Sequence, residues 1–297
     1  LKIIYILLFF REEYKMLNWI LVDEIIYNGL KEDINNFDIT TDILIDKESK
    51  SLAHMLAKEE GVIAGLNVAQ RVFEILDKDV NVKINVKEGD KVSKGTVIAQ
   101  IEGSTKAILN GERLALNLIQ RMSGIATISR KYRDIVKDIP VRIVDTRKTT
   151  PGLRILEKYA VRVGGCYNHR YNLSEAVLIK DNHIKAIGGI KKAIDKIKNN
   201  LSHTIKVEVE VESIEGLKEA IEAGADIVML DNMNLEDMRK AVEIGRGKVI
   251  LEASGGITIE ELVETAKTGV DVISVGALTH SVKALDISLI IGKIIHF

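Results

Sequence analysis

The sequence predicts an α/β protein whose main body is a closed or nearly closed barrel of six or seven parallel strands. Three observations carry this. Strand-like segments recur at Val141 to Asp145, Ala176 to Lys180, Ile205 to Val211, Asp226 to Leu230, Lys248 to Glu252 and Asp271 to Val275. The last three start at 226, 248 and 271, which are 22 and 23 residues apart, and the gaps carry helix patterns opened by residues such as Asn234 and Thr258. That spacing holds one strand and one helix per unit and so a parallel sheet. Finally, the segment ends are strongly polar, as the C-terminal face of such a barrel is. An open doubly wound sheet is the alternative arrangement.

Length and composition bound the reading. The 297 residues are about twice a typical domain. With 46% hydrophobic and 29% charged residues, 2 Pro and 22 Gly, disordered and collagen-like chains are excluded. The 42 Lys+Arg against 43 Asp+Glu, net charge −1, argue against a nucleic-acid binder that works through a basic face. One cysteine, Cys166, excludes an internal disulfide framework and a multi-cysteine zinc site, and fits a reducing cytoplasm. The apolar decamer Leu1 to Phe10 is too short to span a membrane and lacks the cleavage site of a signal peptide. Residues 1–15 are open to two readings, a short helix or strand, or a non-native or disordered extension ahead of Met16.

Taken in order, the chain opens with a helix near Ile20 to Lys31, followed by short strands and turns. Val86 to Glu102 predicts a small antiparallel β structure. It looks like half of a carrier-domain hairpin, but Lys94 lacks the flanks of a modified carrier lysine. A long helix runs from Glu112 to about Lys137, and the strand–helix alternation begins after it.

Alternation in Lys206-Val-Glu208-Val-Glu210-Val puts Lys206, Glu208 and Glu210 on one face. With helices outside, that face points inward. Glu208 is open to two readings, one of them mutual neutralisation with Lys206 low in the barrel. Glu210 and Asp231, nearer the mouth, suit a hard cation such as Mg²⁺ held together with substrate phosphates. The turns after the last two strands, Ser254-Gly-Gly-Ile and Val275-Gly-Ala-Leu, suit phosphate bound by backbone N–H groups.

Between Arg142 and Lys185 there are nine Lys/Arg and four Asp/Glu, with His169 and His183 besides. A cluster this cationic suits a small polycarboxylate. Arg154, Lys158 and Arg162 fall at helical spacing and fit a solvated helix face. Arg147, Lys148, His169, Arg170 and Lys180 fall in loops or at a strand end.

These motifs together resemble quinolinate phosphoribosyltransferase, the carboxylating nicotinate-nucleotide pyrophosphorylase family. The resemblance rests on Asn110-Gly-Glu-Arg113, Leu116-Asn117 and Ser123-Gly-Ile-Ala-Thr127, and on the run from Asp145 to Arg154. It continues through Asn168-His-Arg170, Leu178 to His183, Glu208-Val-Glu210, Leu230-Asp-Asn232, Glu252-Ala-Ser-Gly-Gly256 and Ser274 to His280. Upstream, Asp38-Ile-Thr-Thr41 and Gly61-Val-Ile-Ala-Gly65 also look like the family.

The resemblance implies an α+β open-sandwich N-terminal domain over 16–112, completed by a tail from about 284 to 297, and an incomplete (β/α) barrel over 113–283. It implies a homodimer, with a hexamer as a further assembly, in which Arg113 reaches the other subunit's site. Arg147, His169, Arg170 and Lys180 would bind the carboxylates of quinolinate. Lys148 and Lys180 would lie near phosphoribosyl pyrophosphate, and Glu210 and Asp231 would hold ribose hydroxyls and Mg²⁺. Ser254, Gly255, Gly276 and His280 would cradle the 5′-phosphate. The implied reaction gives nicotinate mononucleotide, CO₂ and pyrophosphate in NAD biosynthesis, with no redox cofactor or protein nucleophile.

Cys166, Asn172 and Glu175 depart from the family's pattern at loop positions, and Cys166 is expected to be small and buried. A related transferase with nicotinate or a molybdate-linked acceptor would not need the full basic set. A non-catalytic sensor of phosphorylated ligands would not need Glu210 and Asp231 beside the phosphate turns.

Overall fold

A computed structural model describes residues 17–292; the short element or extension read over residues 1–15, Met16 and the last residues of the tail lie outside them. The described chain forms two compact units, one of residues 17–130, 149–165 and 279–292, the other of residues 131–148 and 166–278.

In the first unit, α1 (Trp19–Asp33) is N-capped by Asn18, whose side chain accepts the Ile20 N–H, and buries Val22, Ile26 and Leu30 at four-residue spacing. Asp38 caps the short α2 (Ile39–Leu44) by accepting the Thr41 N–H at 3.0 Å. The Asp38-Ile-Thr-Thr41 motif is therefore a helix start. An antiparallel sheet follows in the order β12 (Ile287–Ile291), β1 (Lys50–Ala57), β5 (Val97–Ser104), β3 (Asn81–Ile84). The amphipathic α3 (Leu66–Leu76) buries Leu66, Val68, Ala69, Val72 and Phe73.

The expected local β structure over 86–102 is corrected. β4 (Lys91–Val92) pairs with β2 (Gly61–Val62), while β5 pairs with β1 and β3. A turn in which Thr96 N–H donates to the Ser93 carbonyl at 3.1 Å carries the chain from one ribbon to the other. Alternation marks a strand but not its partner.

The long α4 (Thr105–Ile135) starts seven residues ahead of the expected Glu112, opened by Ser104, whose hydroxyl accepts the Ala107 N–H at 3.4 Å. The cut anticipated between 112 and 113 thus falls inside a helix. The Ser123-Gly-Ile-Ala-Thr127 motif packs α4 against its surroundings. Ser123 Oγ accepts the Ala64 N–H at 3.0 Å and Thr127 Oγ1 the Val62 N–H at 2.8 Å. A Cβ at Gly124 would run into the Lys283 carbonyl oxygen. On α5 (Arg154–Gly164), Glu157 is 1% exposed. It is paired with Arg121 of α4 at 2.6 Å, and Arg121 also donates to Thr150 Oγ1 at 2.7 Å. The solvated face expected for this helix is absent: Lys158 is 3% exposed, and Arg154 and Arg162 are half-buried. The cysteine after this helix, Cys166, is buried as expected.

The second unit holds six parallel strands in the order β6 (Arg142–Val144), β11 (Val272–Ser274), β10 (Ile250–Ser254), β9 (Ile227–Asp231), β8 (Val207–Val211), β7 (Val177–Ile179). This is the cyclic strand order of an α/β barrel with one seam left open, because β6 and β7 stand at the two edges. At the β6 edge Tyr167 forms a single parallel bridge with Val144. Helices α6 (Asp181–Ile187) and α7 (Ile190–Lys198) follow β7, and α8 (Ile214–Glu222), α9 (Leu235–Gly245) and α10 (Leu262–Lys267) follow β8, β9 and β10. Asn234 caps α9 by accepting the Asp237 N–H. Thr258 does not cap α10, which opens at Leu262. β10 begins two residues later than expected, because Lys248 and Val249 donate to the Gly245 carbonyl in the turn that closes α9.

Candidate active site

Register fixes which side chains share the polar face of the second unit's sheet. Glu210 lies opposite Met229, Met229 opposite Glu252, and Asp231 opposite Ser254. In a parallel sheet residues at steps of two share a face, so Glu208, Glu210, Asp231, Glu252 and Ser254 form one set. Val207, Val209 and Val211 are buried on the other side. The proposed neutralisation of Glu208 by Lys206 does not occur. Lys206 is exposed, and Glu208, 3% exposed, meets the His169 ring at 3.2 Å.

Asp145, fully buried after β6, organises the approach to this face. Its two carboxylate oxygens accept the His169 N–H at 2.8 Å and the Asn168 side-chain amide at 2.7 Å. The Nδ1 of His169 accepts the Arg170 N–H at 2.8 Å, and Arg170 Nη1 donates to the Ala176 carbonyl at 2.8 Å. Burial, reinforced by the neighbouring charge of Arg147, pulls the Arg170 guanidinium below its ordinary value, with Glu208 opposing. Two guanidiniums close enough to repel make a site for an anion. Lys148, next to Arg147, is exposed.

At the end of β7, Lys180 places its Nζ 2.6 Å from Glu210 Oε2, and its backbone N–H donates to His183 Nδ1 at 3.0 Å. Asp231, at the end of β9, accepts the Asn232 side-chain amide at 2.8 Å. Asn232 has φ 54° and Gly255 φ 101°. Their backbones lie so close that a Cβ at 255 would sit 2.7 Å from the Asn232 nitrogen. Only glycine fits there without strain. Gly276 follows β11 in the same unit. Arg113, exposed on α4, and His280, exposed at the end of α11 (Ala277–His280), are counted with the first unit.

One group was not singled out by sequence reasoning. Glu252, 3% exposed, lies 3.6 Å from His169 Nε2, and its Oε1 has no hydrogen-bond partner. Burial and the adjacent Glu208 push its carboxyl up to about 7, against His169, Ser274 and Lys180. Among the described residues, His169, Glu208 and Glu252 are the one histidine–carboxylate group with ligand atoms within 4.8 Å of one another. Sequence showed the glutamate in a strand but not that the strand starts late and carries it to the middle of the sheet.

The family model described as quinolinate phosphoribosyl transferase, C-terminal domain, matches residues 125–290, and the one for the N-terminal domain matches residues 38–123. The chain belongs to the quinolinate phosphoribosyltransferase family. It is 45% identical over 273 residues to the probable nicotinate-nucleotide pyrophosphorylase [carboxylating] of Bacillus subtilis, covering 92% of this chain and 94% of that protein. It is 42% identical over 285 residues to quinolinate phosphoribosyltransferase [decarboxylating] 2, mitochondrial, of Nicotiana glauca, covering 90% of this chain and 81% of that one. The crystal structure of NadC from Streptococcus pyogenes superimposes with a TM-score of 0.89 at 41% identity, over 94% of this chain and 99% of the other. Among the described residues no helix is long and apolar enough to cross a membrane.

Proposed function

We propose that the chain transfers the phosphoribosyl group of phosphoribosyl pyrophosphate to the ring nitrogen of quinolinate, releasing pyrophosphate and CO₂ and leaving nicotinate mononucleotide for NAD biosynthesis. The enzyme is a decarboxylating pentosyltransferase. The observation that carries the reading is a guanidinium pair beside a lysine–glutamate pair at one end of a parallel sheet. Arg147 and Arg170 supply forks for a dicarboxylate, and Lys180 adds a point charge. Both ring nitrogens of His169 are engaged within the chain, so its part in binding quinolinate is to fix the backbone from which Arg170 projects.

Glu210 and Asp231 hold the ribose hydroxyls and favour the positive charge that grows on the ribose as pyrophosphate departs. Their donor set fits Mg²⁺: hard carboxylate oxygens on one face of adjacent strands, with no thiol between them. Bound there with the pyrophosphate, Mg²⁺ supplies charge stabilisation for the leaving group. Lys148 and Lys180 lie on the pyrophosphate side. Ser254, Gly255 and Gly276 cradle the 5′-phosphate, with glycine admitting the anion to backbone N–H groups. The pyridinium so formed is an electron sink for loss of the 2-carboxylate as CO₂, and no protein nucleophile takes part. The active form is a homodimer in the cytoplasm, and Arg113 completes the site of the other copy.

The test is release of CO₂ and pyrophosphate from quinolinate, phosphoribosyl pyrophosphate and Mg²⁺, beside the same mixture with nicotinate. Equal release of both products with quinolinate alone is expected. Turnover of nicotinate only would reassign the acceptor, and no turnover of either would favour a phosphate-ligand sensor.

A further inference from the structure

Two buried carboxylates face one imidazole in the second unit, and the reaction above gives neither carboxylate a task. Glu208 and Glu252 come from different strands and reach the same atom, His169 Nε2, at 3.2 and 3.6 Å. The other ring nitrogen accepts the Arg170 N–H at 2.8 Å. A nitrogen that accepts that hydrogen carries none of its own, so the ring proton sits on Nε2 and points at the two carboxylates. This also decides between a ligand and a donor. A cation among these three side chains would need the Nε2 lone pair, which the proton occupies, and would face the nearby Arg170 guanidinium.

We propose that Glu252, together with Glu208, is a positioning residue that clamps the His169 ring and, through it, aims Arg170 at the carboxylates of quinolinate. The connection is continuous. Glu208 holds Nε2 at 3.2 Å with Glu252 packed beside it at 3.6 Å, Nδ1 holds the Arg170 N–H, Asp145 holds the His169 N–H at 2.8 Å, and the Ala176 carbonyl holds the Arg170 guanidinium at 2.8 Å. The groups facing Glu252 are Glu208 from β8, His169 from the segment before β7, Lys180 from the end of β7 and Ser274 from β11. Burial against Glu208 keeps a proton on Glu252 up to about pH 7, so glutamine copies both its shape and its neutral state. The proposal rests on the quinolinate reading, and its test separates the two.

The test reads the ring first and the enzyme second. In protein labelled with ¹⁵N at histidine, long-range ¹H–¹⁵N correlation reports each ring's tautomer, and the His169 signals are those lost in His169→Gln. The wild type and Glu252→Gln should show a neutral ring with its proton on Nε2, and Glu252→Ala a mixture of tautomers. In steady-state assays Glu252→Ala should raise the quinolinate KM about fivefold, the loss of one neutral polar contact. The phosphoribosyl pyrophosphate KM should move less than about twofold, and Glu252→Gln should restore the quinolinate KM.

A wild-type ring protonated on Nδ1, or on both nitrogens, overturns the proposal even if the alanine variant does not fold. So does a Glu252→Ala enzyme in which both KM values rise alike or neither moves. If the wild type fails to turn over quinolinate, the functional reading falls, while the ring spectra still decide whether the clamp exists.

Discussion

Lys180 and Glu210 form an ion pair of 2.6 Å across two neighbouring strands, with the lysine side chain half exposed and the glutamate nearly buried. Each supplies the other's counter-charge. Lys180→Ala should therefore lose a contact to quinolinate and also leave Glu210 without its counter-charge. A hydrogen bond to a charged group is worth about 1.5–3 kcal/mol, so kcat/KM for quinolinate should fall by roughly ten- to a hundredfold. Steady-state kinetics with each substrate varied checks this, and an unchanged kcat/KM would remove Lys180 from the site.

Arg147→Ala should act mainly on quinolinate binding. Its charge lies close enough to Arg170 to lower the Arg170 guanidinium, and a dianion between the two relieves that repulsion. Truncating one partner of a desolvated charge contact costs about 2–5 kcal/mol. Calorimetric titration with quinolinate should show an affinity loss of that order, and equal affinities in wild type and variant would contradict the role.

The Glu252 carboxyl makes stability depend on pH. Its value rises from 4.5 to about 7 on folding, so between those limits the folded state binds the extra proton. Stability should fall as pH rises through that window and level off above it. Thermal melts at pH 5 and pH 8 should differ less for Glu252→Gln than for the wild type. An identical difference in both proteins would place the proton elsewhere.

Arg121→Ala should destabilise the first unit. Glu157 is 1% exposed and relies on Arg121 at 2.6 Å and on the Thr150 N–H at 3.2 Å. Breaking a buried pair from one side costs about 3–5 kcal/mol. Replacing both residues with Arg121→Met and Glu157→Leu should recover much of that loss. Urea unfolding of the three proteins measures it.

The parallel sheet was legible because each unit repeats its strand, its helix and its polar end within about two dozen residues. The residues placed at strand ends, from Arg147 to Asp231, were legible for the same reason: an end is a local feature. What escaped was pairing at a distance. Nothing in Val86 to Glu102 tells that its two strands join different ribbons. Lys206 and Glu208 share a strand face, yet only the fold brings His169 to the glutamate instead. Lys158 has helical spacing suited to solvent and is buried regardless. Glu252 needed a two-residue shift in a strand start, the scale at which turn hydrogen bonds override apolar patterning.

The first sheet is closed by β12, whose Ile290 pairs with His54 of β1, so this edge is covered only after the chain between them, the whole parallel sheet included, has been made. Until then β1 presents an unpaired edge, bare backbone that invites pairing with other chains. Contacts this distant in sequence form slowly. A chain cut short near residue 285 would keep every strand of the parallel sheet and most of the residues assigned to chemistry, and would still be a candidate for aggregation during synthesis. β12 thus shields the backbone of β1 with a strand that the parallel sheet does not need.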